Sequence, residues 1–98
     1  MAWQMMKTAA GHLSLDNFSL ESDKIPELLR QLQGYFQNRF AVGDRFGLEA
    51  MSALAVEIRV DGAPLTVGWD NWSGVFIMAW DTGGDSAVRE LEGYFCDD

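Results

Sequence analysis

Three segments of the chain carry periodic apolar patterns, and each predicts a different element. From about Asp23 to Arg39, Ile25, Leu28, Leu29, Leu32, Tyr35 and Phe36 recur at three- and four-residue intervals, with Phe40 just beyond. Arg30, Gln31, Gln33 and Gln37 lie largely off that stripe, so the segment predicts an amphipathic helix. Ser22 or Asp23 is placed to cap it, because a short side-chain oxygen can accept a bond from the first free backbone N–H groups. Pro26 is compatible only with the first turn. Gly34 costs such a helix about 1 kcal/mol against alanine, and its expected use is a close approach to a sheet.

From Ala53 to Val60 the period is two. Leu54, Val56, Ile58 and Val60 face one way, and Glu57 and Arg59 the other. Asp61-Gly62 follows, the pair that a type I′ turn favours because both central residues need positive φ. A two-residue loop there sets Val60 opposite Ala63, Ile58 opposite Leu65, Val56 opposite Val67 and Leu54 opposite Trp69. Every pair is apolar on one face, so turn chemistry and hydrophobic pattern agree on the register.

Asp70 to Gly74 reads as the next turn. Val75 to Trp80 is then apolar on both faces, with Val75, Ile77 and Ala79 on one and Phe76, Met78 and Trp80 on the other, as in a central or doubly covered strand. Gly83-Gly84 breaks the pattern, and Asp85 or Ser86 is expected to cap a last helix whose inner face is Val88, Leu91 and Tyr94 or Phe95. Weaker signals mark a strand around Arg45 to Glu49 and an alternation of Leu13, Leu15 and Asn17 with Ser14, Asp16 and Phe18. Residues 1–20 are expected to be loosely packed or to add a strand. The whole, residues 1–98, predicts a single α+β domain of two layers. It has an antiparallel sheet of three to five strands, a helix in the N-terminal half and a C-terminal helix.

Composition narrows the function. The chain has 98 residues, 48% of them hydrophobic, enough for one real core. Its formal net charge is -8, and residues 50–98 carry two Lys/Arg against nine Asp/Glu. Phosphate backbones and anionic lipid repel such a chain, so neither nucleic acid nor membrane is expected as a partner, and a basic protein is. With Cys96 as its one cysteine, the chain has no internal disulfide and no cysteine-rich zinc site. Residues 1–7 lack the apolar core of a signal peptide and no stretch reaches transmembrane length, which points to the cytoplasm.

No catalytic motif stands out, and no enzyme activity, metal or cofactor is expected. His12 has no triad partner at a suggestive spacing, and the carboxylates around residues 81–90 do not follow a calcium-loop pattern. Thr82-Gly83-Gly84-Asp85-Ser86 lacks the lysine of a phosphate loop. Asp70 lies beside Asn71 in a turn and Asp81 and Asp85 flank Gly83-Gly84, settings in which aspartate ordinarily bonds its own backbone. The tryptophans are the strongest functional signal. Trp69 shares the face of Leu54 and Val67 and is expected in the core, whereas Trp72 lies among polar turn formers. Asp70, Trp72 and Asp81, helped by Glu57, are therefore the candidate partner-binding residues, an aromatic anchor with charged flanks.

The segment Trp69-Asp70-Asn71-Trp72-Ser73-Gly74-Val75-Phe76-Ile77-Met78-Ala79-Trp80-Asp81, together with the layout of residues 22–95, resembles small bacterial immunity proteins. These are cytoplasmic inhibitors of contact-dependent or type VI secreted toxins. The resemblance implies a non-enzymatic inhibitor that occludes the active site of a cognate basic toxin. Two other readings stand beside it: a module stacking a sugar or planar ligand on Trp72 and Trp80, and an obligate homodimer that buries the second sheet face against its own copy.

Overall fold

In the computed structural model, which describes residues 3–48 and 54–96, the chain forms one antiparallel sheet with two helices on one face. In chain order the elements are β1 (Trp3–Lys7), β2 (Leu13–Asn17), α1 (Ile25–Phe36), β3 (Phe40–Leu48), β4 (Leu54–Val60), β5 (Ala63–Asp70), β6 (Gly74–Ala79) and α2 (Thr82–Cys96). The described residues give six strands, in the order β1-β2-β6-β5-β4-β3. The expected α+β class holds, but the sheet is larger than three to five strands. Residues 3–17 supply the difference: they form a hairpin that pairs through β2 with β6 and carries the sheet past it.

The Asp61-Gly62 hairpin has the predicted register at every step, from Val60↔Ala63 to Leu54↔Trp69. Both turn residues have positive φ, 54° at Asp61 and 82° at Gly62, as a type I′ turn requires. β6 is central, between β2 and β5. Its tight entry depends on Gly74, at φ 69°, where an added Cβ would run into the backbone carbonyl of Asn17 and lie 2.7 Å from the Phe18 Cα.

α1 covers the β3–β5 side of the inner face and α2 the β6–β2 side. Ile25, Leu28, Leu32 and Phe36 are buried, as the stripe predicts, and Leu29 and Tyr35 are half-buried. They meet Ile58, Val60, Leu65, Val67, Val75, Ile77 and Leu15, all at most 1% exposed. Each such side chain contributes about 1.5–3 kcal/mol relative to leaving it in water. Single 3₁₀ turns, Ser22–Lys24 and Gln37–Arg39, flank α1. No side-chain oxygen caps its start, so the cap expected from Ser22 or Asp23 is not formed, and the preceding 3₁₀ turn leads the chain into the helix instead. Gly34 faces open space rather than the sheet.

α2 begins earlier than the glycine pair suggested. Asp81, not Asp85 or Ser86, caps it, its Oδ1 accepting the Gly84 N–H at 2.8 Å. The glycines lie inside the first turn because the turn presses on the sheet: a Cβ on Gly84 would sit 3.0 Å from the Ala79 Cβ and 3.1 Å from the Pro64 carbonyl oxygen. Asp85 is thereby freed to reach β2, where it accepts the Leu13 N–H at 2.8 Å and meets His12 Nδ1 at 3.0 Å. Both contacts hold its carboxyl below the ordinary aspartate range, His12 the more strongly. Val88 and Leu91 are buried, Phe95 stacks on Trp3 at 4.7 Å, and Tyr94 stays 42% exposed. Arg39 ties hairpin to helix, its guanidinium bonded to both Asp61 and Glu90 at 2.9 Å.

Candidate functional site

The sheet has a second face, and no helix covers it among the described residues. Strand alternation and register decide which side chains stand there. Met6 lies opposite Ser14, Ser14 opposite Met78, and Met78 opposite Thr66, while Asp16 lies opposite Phe76, and Phe76 opposite Gly68. Glu57 continues the Thr66 row onto β4. Phe76 and Met78 are half-buried and Trp80 is 55% exposed, its ring laid back so that Nε1–H donates to Thr66 Oγ1 at 2.7 Å. The face is thus apolar along β6 and polar to either side.

Trp72 is 87% exposed, on the tip of the β5–β6 turn. Asp70 stands at the end of β5, where its Oδ1 accepts the backbone N–H groups of Trp72 at 2.9 Å and Ser73 at 2.7 Å. It holds the turn, as aspartate at this position ordinarily does. Glu57 stands on the open face and accepts a bond from Arg59 at 3.2 Å. Asp81 is elsewhere. Between it and Asp70 lies the whole of β6, six residues, a span of about 20 Å at roughly 3.3 Å per residue. The structure brings Asp70 and Trp72 together, places Glu57 on the same sheet face, and leaves Asp81 at the far end as a helix cap. The same separation parts Trp72 from Trp80, so they do not form one stacking platform.

Sequence reasoning missed Asp16. It is 7% exposed, on the open face of a strand pair, and its Oδ1 accepts the Ser14 hydroxyl at 2.6 Å. Burial pushes its carboxyl above the ordinary aspartate range against the pull of Ser14, and the charge of Asp70 pushes it further. No cation pairs with either carboxylate among the described residues. The two border a cleft of about 240 Å³ walled by Met6, Phe76 and Met78, with Ser14, Ser73 and the start of the β1–β2 turn at its margin. An acid on an alternating strand reads as solvent-facing. The available signal was β6, whose second apolar face needed something beside it.

Much of the acidity of residues 50–98 has structural duties instead: Asp61 and Glu90 pair with Arg39, Asp85 holds β2, and Asp81 caps α2. The described residues hold no group of three side chains spaced for a metal ion and no helix long and apolar enough to cross a membrane. Compared with protein-family models, with curated proteins and with solved structures, the chain finds no match in any of the three.

Proposed function

We propose that this chain is a non-enzymatic binding protein that grips one basic protein on the open face of its sheet. Its cellular role is that of an inhibitor of the immunity-protein kind, acting in the cytoplasm and covering a toxin's active site. One observation carries the binding reading: an apolar strip of Phe76, Met78 and Trp80 is flanked by Asp16, Asp70 and Glu57, and neither Asp16 nor Asp70 is neutralised by a cation among the described residues. Protein interfaces combine such a desolvated centre with a polar rim, and complementary charge speeds encounter. The inhibitor role rests on the likeness of residues 69–81 to immunity proteins and on the basic clefts of many enzymes they inhibit. A two-fold copy of this face would set like carboxylates against each other on chains of net charge -8, which disfavours self-association.

The test is affinity capture from the native host with the wild-type chain and with Met78→Lys and Asp70→Lys. A single basic protein should be retained by the wild type, lost by both variants, and inhibited by the wild type in its own activity. Its association should slow as salt rises, since ions screen the attraction between the acidic face and a basic partner. A captured protein that both variants retain would move the interface off this face, and one whose activity is untouched would remove the inhibitor role.

A further inference from the structure

We infer that the cleft between Asp16 and Asp70 is a receptor for one arginine side chain of the basic partner, the guanidinium bridging the two carboxylates while its stem lies against Met6, Phe76 and Met78. This deepens the proposed function and rests on it for the partner's identity, though not for the chemistry of the cleft.

The two acids share a feature. Each commits Oδ1 inside the fold, Asp16 to the Ser14 hydroxyl and Asp70 to two backbone N–H groups. Each leaves Oδ2 without a hydrogen-bond partner among the described residues. No fully buried side-chain oxygen lacks a partner there, so Asp16 Oδ2 keeps some contact with solvent although the residue is only 7% exposed, and Asp16 lines the cleft. A carboxylate so desolvated and half-satisfied is costly unless something complements it. Lys7 borders the cleft but makes no ion pair with either acid.

The space defines the complement. A volume of about 240 Å³ is under the roughly 300–1,000 Å³ of sites for whole small ligands, so one side chain suits it better than a sugar. A guanidinium is planar, carries five donors and stacks on an aromatic ring, whereas an ammonium is a compact, strongly hydrated point charge. Two free carboxylate oxygens beside Phe76 favour the planar group.

The probe is Nα-acetyl-L-arginine N-methylamide, titrated into the ¹⁵N-labelled chain, with the lysine and citrulline counterparts as controls. Arginine should shift the amides of Ser14, Asp16, Asp70, Ser73 and Phe76 at millimolar concentration, and citrulline, which lacks the charge, should leave them unmoved. Asp16→Asn and Asp70→Asn keep an Oδ1 acceptor for the internal bonds, so both should fold, and each should weaken arginine roughly tenfold or more. Binding should strengthen as pH rises and Asp16 ionises. Equal response to citrulline, shifts centred elsewhere, or unchanged affinity in both variants would overturn the site, and lysine binding as tightly as arginine would overturn the guanidinium assignment. If the cleft stays silent while Asp70→Lys still loses a captured partner, this inference fails and the proposed function survives. If the cleft responds to arginine and no basic partner is found, the reverse holds.

Discussion

The two faces of one sheet have been built to different rules. Under the helices, Leu15, Ile58, Leu65, Val67, Val75 and Ile77 are each at 0% exposure, and no charged side chain joins them. On the open face the same strands present Met6, Phe76 and Met78 around Asp16, a nearly buried acid with one hydrogen bond from a side chain. Consistency across levels is what makes a fold specific, and departures from it collect at functional sites. The first face follows that consistency along β4, β5 and β6. The second departs from it most at Asp16, the buried acid, which makes that residue informative.

Truncation separates the two faces most clearly. Leu32→Ala, beneath the helix layer, should cost about 2–5 kcal/mol in denaturant unfolding. Met78→Ala, half-buried on the open face, should cost about 1 kcal/mol or less. Equal losses would mean that both faces act as core. Next in size is Gly62→Val in the hairpin that joins two strands of both faces. Forcing a β-branched residue to φ 82° should destabilise by about 1 kcal/mol or more. A neutral result, read by thermal unfolding, would mean that the turn relaxes and the register is held by the strands alone.

What could be read from the sequence divides along the same line. The β4–β5 hairpin was legible residue by residue because Asp61-Gly62 and the alternation of Leu54 to Val60 demand the same register. α1 was legible because its stripe faces one layer only. β1 was not, since Trp-Gln-Met-Met-Lys has no clean alternation and its inward Trp3 needs Phe95, from the far end of the chain, to be intelligible. The start of α2 was misjudged because glycines that serve close approach resemble glycines that break a helix. The turn that Asp70 holds and Trp72 tips was legible from local composition. The burial of Asp16 was not, because it stands between Gln4 and Phe76 across strand pairings that no local window contains. Glu49 and Ala53, at the ends of two predicted strands, lie outside the described residues.

Gly34→Ala probes the outer side of the covering layer. The position is exposed, with nothing within 4 Å of an added Cβ, so alanine should stabilise α1 by about 1 kcal/mol. A loss instead would show that the back of α1 is in contact with something. Asp16→Asn tests the open face by pH. The folded carboxyl titrates above its ordinary value of 3.8, so between those two values the folded state holds more protons than the unfolded one. Its contribution is therefore most favourable below 3.8 and is lost as pH rises through the folded value. Asp16→Asn should accordingly be more stable than wild type at neutral pH, with the gap closing on acidification. Asp61, Asp85 and Glu90 work in the opposite direction, their carboxyls held low by Arg39 or His12, and they cancel when the two proteins are compared at each pH. A gap that stays constant with pH would mean that the buried carboxylate carries no penalty.

Trp72→Ala should have the smallest effect on stability and the most selective effect on binding. At 87% exposure its ring contributes little to the core, and the bonds that fix the turn come from backbone N–H groups to Asp70, which alanine retains. The unfolding midpoint should therefore move by less than the equivalent of about 0.5 kcal/mol. An anchor at an interface is worth roughly 2 kcal/mol or more, which is about thirtyfold in Kd, and its loss falls mainly on dissociation. With the basic partner in hand, Trp72→Ala should dissociate faster at an unchanged association rate, while Asp70→Lys slows association and flattens its salt dependence. If Trp72→Ala binds like the wild type while Met78→Lys does not, the partner sits on the sheet face alone and the turn is only a turn. If it is Trp72→Ala that unfolds, the ring packs in a way its exposure denies, and the separation between a covered structural face and an open binding face fails at Trp72.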